Sequence, residues 1–173
     1  MRTKKPLVYV WTGNGAGKTT SALGTALRML GHNKKVIIVQ FMKGWKNIGE
    51  YKIKKKLGKN YEIVQFGRKG WVNLENPSLK DKKLAAKAVD YLEKALRKKP
   101  DLLILDEVNI AAAIGLIDTK RIVSLIDKAD PKTTIYMTGR YAPKEFIDKA
   151  DFVNEISIIK MKKGIKARKG IEY

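Results

Sequence analysis

The run Thr12-Gly13-Asn14-Gly15-Ala16-Gly17-Lys18-Thr19-Thr20 concentrates the residue types that bind phosphate. It follows the apolar segment Leu7–Trp11 and precedes an amphipathic stretch, Ser21–Leu30. That is the strand–glycine loop–helix context in which successive backbone N–H groups converge on an anion. The helix N-terminus adds partial positive charge. Lys18 can reach the outer phosphates, and the Thr19 hydroxyl can ligate Mg²⁺. Thr12 stands where the usual motif begins with glycine.

A second acidic signal is Leu102-Leu103-Ile104-Leu105-Asp106-Glu107. Carboxylates at the end of a buried strand beside a phosphate loop can hold a divalent cation, directly or through water. Asp106 and Glu107 are therefore candidate metal ligands with Thr19. Thr138-Gly139-Arg140 ends another strand-like segment, and Arg140 can clamp a phosphate or lie free on the surface. Trp45 and Trp71 fall in loops, where a large aromatic either packs onto the protein or stacks on a flat ligand. Trp11 ends the first strand and is expected in the core.

The elements that must position these groups alternate in type. Strands are expected at Leu7–Trp11, Lys35–Gln40, Tyr61–Gln65, Asp101–Asp106, Thr133–Thr138 and Phe152–Ile159. Helices are expected at Ser21–Leu30, Glu50–Leu57, Leu79–Lys98, Val108–Ile114, Thr119–Lys128 and Pro143–Ala150. On the first helix, Ala22, Leu23, Ala26, Leu27 and Leu30 share the apolar side. Apolar strands interleaved with helices predict an α/β fold with a mainly parallel sheet covered on both faces. The loops after the first five strands open on one edge, where such sheets bind ligands.

Composition narrows the chemistry. The 173 residues suffice for one nucleotide-binding domain, with a basic tail over about residues 160–173. Neither a signal peptide nor an apolar run of membrane-spanning length is present, so a cytoplasmic protein is expected. Absence of cysteine excludes disulfides, thiolate–zinc sites and Fe–S clusters. The one histidine, His32, follows the helix stop Gly31 and is expected in an exposed loop. The net charge of +20 admits a nucleic-acid partner. The basic residues are spread along the whole chain, which favours a solvated lysine-rich surface serving an anionic ligand.

Several segments together resemble the P-loop ATP:corrinoid (cob(I)alamin) adenosyltransferases. They are Thr12–Thr20 with Ala22-Leu23-Gly24, Ala26-Leu27-Arg28 and Gly31-His32; Val39-Gln40-Phe41-Met42-Lys43-Gly44; Leu105-Asp106-Glu107; Thr138-Gly139-Arg140 with Ala142-Pro143; and the closing Gly164–Tyr173. The glycine loop and Asp-Glu pair are common to many nucleotide enzymes, whereas the Gln-Phe-Met-Lys-Gly and C-terminal segments are specific to this family. The resemblance implies a RecA-like fold and transfer of the 5′-deoxyadenosyl group of ATP to Co(I) of a reduced corrinoid, with release of triphosphate. It implies that Gly13, Asn14, Gly15, Ala16, Gly17, Lys18, Thr19 and Thr20 hold the triphosphate. It also implies Mg²⁺ (or Mn²⁺) on Thr19 and Glu107, ATP bound with carbon 5′ facing the corrin, a homodimer, and an electron-donor protein that reduces Co(II).

Two departures bear on this resemblance. Ala16 stands where many members have lysine. In the segment Gly67–Asn73, Trp71 alone offers the aromatic group that in some members displaces the lower axial ligand of cobalt, and Trp71 is assigned that role. The chain starts six residues before the first strand, so the N-terminal helix of some members is not expected. The competing reading is a RecA-like nucleic-acid-dependent ATPase.

Overall fold

The computed structural model describes residues 4–173. Six strands form one sheet: β1 (Leu7–Thr12), β2 (Val36–Phe41), β3 (Tyr61–Phe66), β4 (Leu102–Asp106), β5 (Thr134–Thr138) and β6 (Phe152–Glu155). Their order is β3-β2-β4-β5-β1-β6, and every pairing is parallel. The helices are α1 (Lys18–Gly31), α2 (Gly49–Lys52), α3 (Lys54–Leu57), α4 (Leu79–Arg97), α5 (Val108–Ala113), α6 (Thr119–Asp127) and α7 (Lys144–Lys149). This is the expected RecA-like α/β architecture. Because the strands are parallel, all their carboxyl ends share one edge.

Strand alternation builds two apolar layers. Ile37, Val39, Leu103, Leu105, Ile135 and Met137 face the layer that holds Ala88 and Leu92 of α4, Ile122 of α6 and Phe146 of α7. Val36, Ile38, Leu102, Ile104 and Tyr136 face the opposite layer with Ala22 and Ala26 of α1. The central strands are thus buried on both faces, as their unbroken apolar runs require. Helix α4 starts with a reciprocal cap: the Ser78 side chain accepts from the Asp81 N–H at 3.2 Å, and Asp81 Oδ2 accepts from the Ser78 N–H at 3.1 Å.

Several expectations are corrected. Leu27 is 64% exposed, so the inward stripe of α1 is narrowed to Ala22 and Ala26, flanked by the partly buried Leu23 and Leu30. A small-residue seam lets the helix backbone approach the sheet, which turns the larger Leu27 outward. The helix expected at Glu50–Leu57 is two single turns divided at Ile53. Strand β6 ends at Glu155, because it pairs with β1 only from Phe152 to Glu155. Residues 156–173 contain neither helix nor strand. Trp11 is half-buried, its ring 6.4 Å from that of Tyr136. Among the described residues, no helix is long and apolar enough to cross a membrane.

Leu92 is fully buried against the sheet. Leu92→Ala is expected to lower stability by about 2–5 kcal/mol, measured by denaturant unfolding.

Candidate nucleotide and metal site

The site is assembled where β1, β2, β4 and β5 end. Between β1 and α1 the chain turns at Gly13 (φ 92°) and Gly17 (φ 107°), both in the left-handed region that favours glycine. Thr12 does not need that freedom. It closes β1, and its hydroxyl accepts from the Ala142 N–H at 3.2 Å. The left-handed step falls one residue later, which accounts for threonine in place of the motif's first glycine.

The loop is also gripped from the far end of the sequence. The Gly15 N–H donates to the Ile156 carbonyl at 2.7 Å, and the Ile156 N–H donates to the Thr12 carbonyl at 2.9 Å. A Cβ on Gly15 would come within 2.6 Å of the Ile156 side chain. Gly15 is therefore required by its close packing against the segment after β6. Asn14, Ala16 and Thr20 are exposed, and Gly17 caps α1. The first turn of α1 carries no acidic residue to oppose a bound phosphate.

Lys18 is buried, and its ammonium donates to the Gly15 carbonyl at 2.5 Å. Burial lowers its pKa, Glu107 acts in the opposite sense, and Arg140 lowers it further. The Arg140 side chain thus lies within electrostatic reach of the lysine while remaining exposed.

Asp106 is the hub. Its carboxylate is completely buried and accepts four hydrogen bonds. Thr19 Oγ1 donates to Oδ1 at 2.7 Å, and Thr138 Oγ1 donates to the same oxygen at 2.6 Å. Gln40 Nε2 donates to Oδ2 at 2.9 Å, and Lys43 Nζ at 2.7 Å. Burial opposes ionisation of this carboxyl, but Lys43, Thr138 and Thr19 overcome it and hold its pKa below the usual range. Lys43 is likewise kept charged: burial is outweighed by Asp106, Glu107 and Glu50. Gln40 is itself fixed by Gln65 Nε2, which donates to Gln40 Oε1 at 2.9 Å.

Glu107 follows in a left-handed conformation (φ 61°), unusual for a residue with a side chain. Its N–H donates to Thr138 Oγ1 at 3.2 Å, so this threonine ties together both acidic residues. Strain of this kind persists only where surrounding contacts enforce it. Burial, and then the Asp106 charge, push the Glu107 pKa up. Behind it, Asn109 Nδ2 donates to the carbonyls of Trp11 and Gly139, each at 3.1 Å, binding α5 to the ends of β1 and β5.

These donors suit a hard cation: a threonine hydroxyl and carboxylate oxygens beside a phosphate loop. Among the described residues, three or more His, Asp or Glu side chains do not gather in any metal-binding group. Thr19, Asp106 and Glu107 are the residues that would hold such an ion, with phosphate and water oxygens as further ligands.

The aromatic loops lie farther along the same edge. Trp45 follows β2 and is 37% exposed, with its carbonyl accepting from Gln65 Nε2 at 3.2 Å. Trp71 is 90% exposed. Its carbonyl accepts from Arg68 Nη2 at 2.6 Å, and Arg68 Nε donates to Asp81 Oδ1 at 3.0 Å, so the loop is braced onto the start of α4 while the indole stands free. His32 is exposed at the other end of α1, about 20 Å from the phosphate loop. A surface depression of about 340 Å³ between α6 and α7, lined by Lys120, Ser124, Asp127 and Glu145, shares no residue with the cluster.

Residues 4–173 match the model of the ATP:corrinoid adenosyltransferase family BtuR/CobO/CobP. The chain belongs to this family. It is similar to the corrinoid adenosyltransferase CobA of Salmonella typhimurium, at 33% identity over 98% of this chain and 87% of the relative. It is similar also to the corrinoid adenosyltransferase of Pseudomonas aeruginosa, at 34% identity over 99% of this chain and 86% of the relative. Among solved structures, the flagellar accessory protein FlaH of Methanocaldococcus jannaschii shares the fold, with a TM-score of 0.55 and 16% identity over 87% of this chain and 70% of that one. For an ATP:corrinoid adenosyltransferase, ATP and a corrinoid are the substrates.

The structure brings Lys18, Thr19, Asp106 and Glu107 to one site with Arg140 at its margin. It leaves Trp71 on a separate loop. Sequence reasoning missed Lys43, Gln40 and Thr138 as partners of Asp106. Each lies in a segment that carries the family resemblance, but nothing in their local spacing announces that they converge on one carboxylate.

The raised pKa of Glu107 has a definite consequence for stability. A raised carboxyl burdens the folded state increasingly as pH climbs from its ordinary value, about 4.3, and fully above the raised value. Glu107→Gln is expected to be more stable than the wild-type protein at neutral pH. The gap should shrink as pH falls and vanish below about pH 4, as read from melting temperatures across the range.

Proposed function

We propose that this protein transfers the 5′-deoxyadenosyl group of ATP to Co(I) of a reduced corrinoid and releases triphosphate. The observation that carries this reading is the junction of phosphate loop and acidic strand end, with Thr19 bonded to the buried Asp106, in a chain of this family.

The protein's task is alignment and charge stabilisation. Co(I) in a reduced corrinoid is itself a strong nucleophile. The Co–C bond forms as the bond from carbon 5′ to the triphosphate oxygen breaks, and that oxygen keeps the electron pair. Neither a nucleophilic side chain nor a general base is required at carbon 5′. The chain has no cysteine, and its one histidine lies far from the loop. The backbone amides of residues 13–20, Lys18 and Arg140 bind the triphosphate, hold it against the direction of attack and stabilise the charge it gains on leaving. Mg²⁺ or Mn²⁺, when bound by Thr19, Asp106 and Glu107, would supply further positive charge to the same oxygens.

Trp71 is read as the group that presses on the lower face of the corrin and displaces the lower axial ligand, which makes Co(II) easier to reduce. Its 90% exposure supports this, since a free indole on a braced loop is costly unless it meets a partner. A homodimer and a protein electron donor complete the proposal, as does the reading of the chain as one nucleotide-binding domain with a basic tail.

The test is incubation with ATP, Mg²⁺ and chemically reduced cobalamin. The expected result is a light-sensitive Co–C product in the visible spectrum, with triphosphate in equal amount. Orthophosphate released in a DNA- or RNA-stimulated reaction, without a Co–C product, would favour the competing ATPase reading suggested by the +20 charge. Trp71→Ala is expected to lose the spectroscopic signature of four-coordinate cob(II)alamin and to slow adenosylation from Co(II) by about tenfold or more, with ATP affinity retained.

A further inference from the structure

Lys43 is the least expected member of the cluster. It belongs to the loop after β2, yet its ammonium lies 2.7 Å from Asp106 Oδ2 and 3.5 Å from Thr19 Oγ1. A positive charge already sits between the two residues proposed to face a divalent ion. We propose that Lys43 is a tethered cation that holds this position ahead of the metal and is expelled when the metal binds with nucleotide. The inference rests on the proposed metal role of Thr19 and Asp106.

Saturation of the carboxylate is the first support. A carboxylate offers about four lone-pair sites, and Asp106 already accepts from Thr19, Thr138, Gln40 and Lys43. An ion that touches Asp106 must replace one of these donors. Thr138 is a fully buried strand residue, and Gln40 is fully buried and fixed by Gln65. Thr19 lies in the first turn of α1. Lys43 alone has a long flexible stem and a side chain 24% exposed, so it is the donor with somewhere to go.

The backbone supplies the second. Met42 adopts φ 58°, and its N–H donates to the Phe66 carbonyl at 3.0 Å. The loops after β2 and β3 then cross backbone to backbone at two glycines. A Cβ on Gly67 would lie 2.6 Å from the Met42 carbonyl oxygen, and one on Gly44 would lie 2.7 Å from the Arg68 carbonyl carbon. The Lys43 backbone is therefore held by close packing, while its head group can move.

Energetics gives the device a purpose. Without a bound cation, a fully buried carboxylate would be left without charge compensation, which is destabilising. Lys43 supplies that compensation in the free protein. A divalent ion arriving alone must break the ion pair and leave the ammonium without its counter-ion. When the ion arrives with triphosphate, the expelled ammonium has phosphate oxygens to move onto. Metal and nucleotide binding are thereby coupled, each favouring the other by the same factor.

The test is titration of the nucleotide-free protein with Mn²⁺, following the free-ion EPR signal, for wild type, Lys43→Met and Lys43→Gln. Both variants are expected to bind Mn²⁺ at least about tenfold more tightly than wild type, and ATP should enhance their Mn²⁺ affinity less. Equal or weaker binding by a folded variant overturns the proposal. Should both variants misfold, a crystal structure of the wild-type protein with Mg²⁺ and a non-hydrolysable ATP analogue decides. Lys43 Nζ displaced from Asp106 supports the proposal, and Lys43 still bonded there beside a bound ion overturns it. Absence of Mn²⁺ binding in every form, with ATP or without, overturns it together with the metal role of Thr19 and Asp106. The titration contains no corrinoid, so a failed adenosylation assay leaves its result standing.

Discussion

A single carboxylate organises this protein. Asp106 sits at the end of a strand buried on both faces, where an ionised group is tolerated only if its charge is matched. The match comes from four separate parts of the chain: the phosphate loop through Thr19, the end of β2 through Gln40, the loop beyond it through Lys43, and β5 through Thr138. Each of these contacts fixes the approach of one element to β4. The sheet edge is thus held in register by polar bonds as well as by apolar packing. Partial loss of such a network costs more than its average bond suggests.

The same network divides rigid from movable parts. Thr138 and Gln40 are immobilised by burial, and Glu107 is held in a strained backbone conformation by the threonine that also serves Asp106. Lys18 and Lys43 both have ammonium groups on flexible stems. Lys18 rests on the Gly15 carbonyl and Lys43 on Asp106. Positive charge here is mobile and negative charge is fixed. That division suits the proposed reaction, in which a polyanion is received and then stabilised as it departs.

Much of this was legible in the sequence because it is local. The phosphate loop declares itself through consecutive glycines ahead of Lys18, and the acidic strand end through an apolar run that stops at Asp106. Strand and helix order followed from alternation of apolar segments, with most boundaries within a residue or two, but α1 starts three residues earlier than expected and β6 ends four residues sooner. What stayed hidden depends on contacts between distant segments. Lys43 reads as one lysine among many until the β2 and β3 loops are seen to cross at Gly44 and Gly67. Gln40 and Gln65 read as ordinary strand residues until the register places them side by side. Leu27 was misjudged because helical spacing specifies which residues share a side, not how wide the buried seam is. Ile156 gave no signal at all, since its hydrogen bonds to the loop are made by its backbone.

That last contact reaches back to how the molecule is made. The phosphate loop lies near the start of the chain, but β1 enters the sheet between β5 and β6, and the loop's Gly15 is met by a residue that follows β6. On the ribosome, β1 and its loop must wait, without their neighbours in the sheet, until β5 and β6 have emerged. A prematurely terminated product that stops before β5 would carry the glycine motif intact and still lack the strands on either side of it. Assembly of the loop therefore waits on β5, β6 and the residue that follows them.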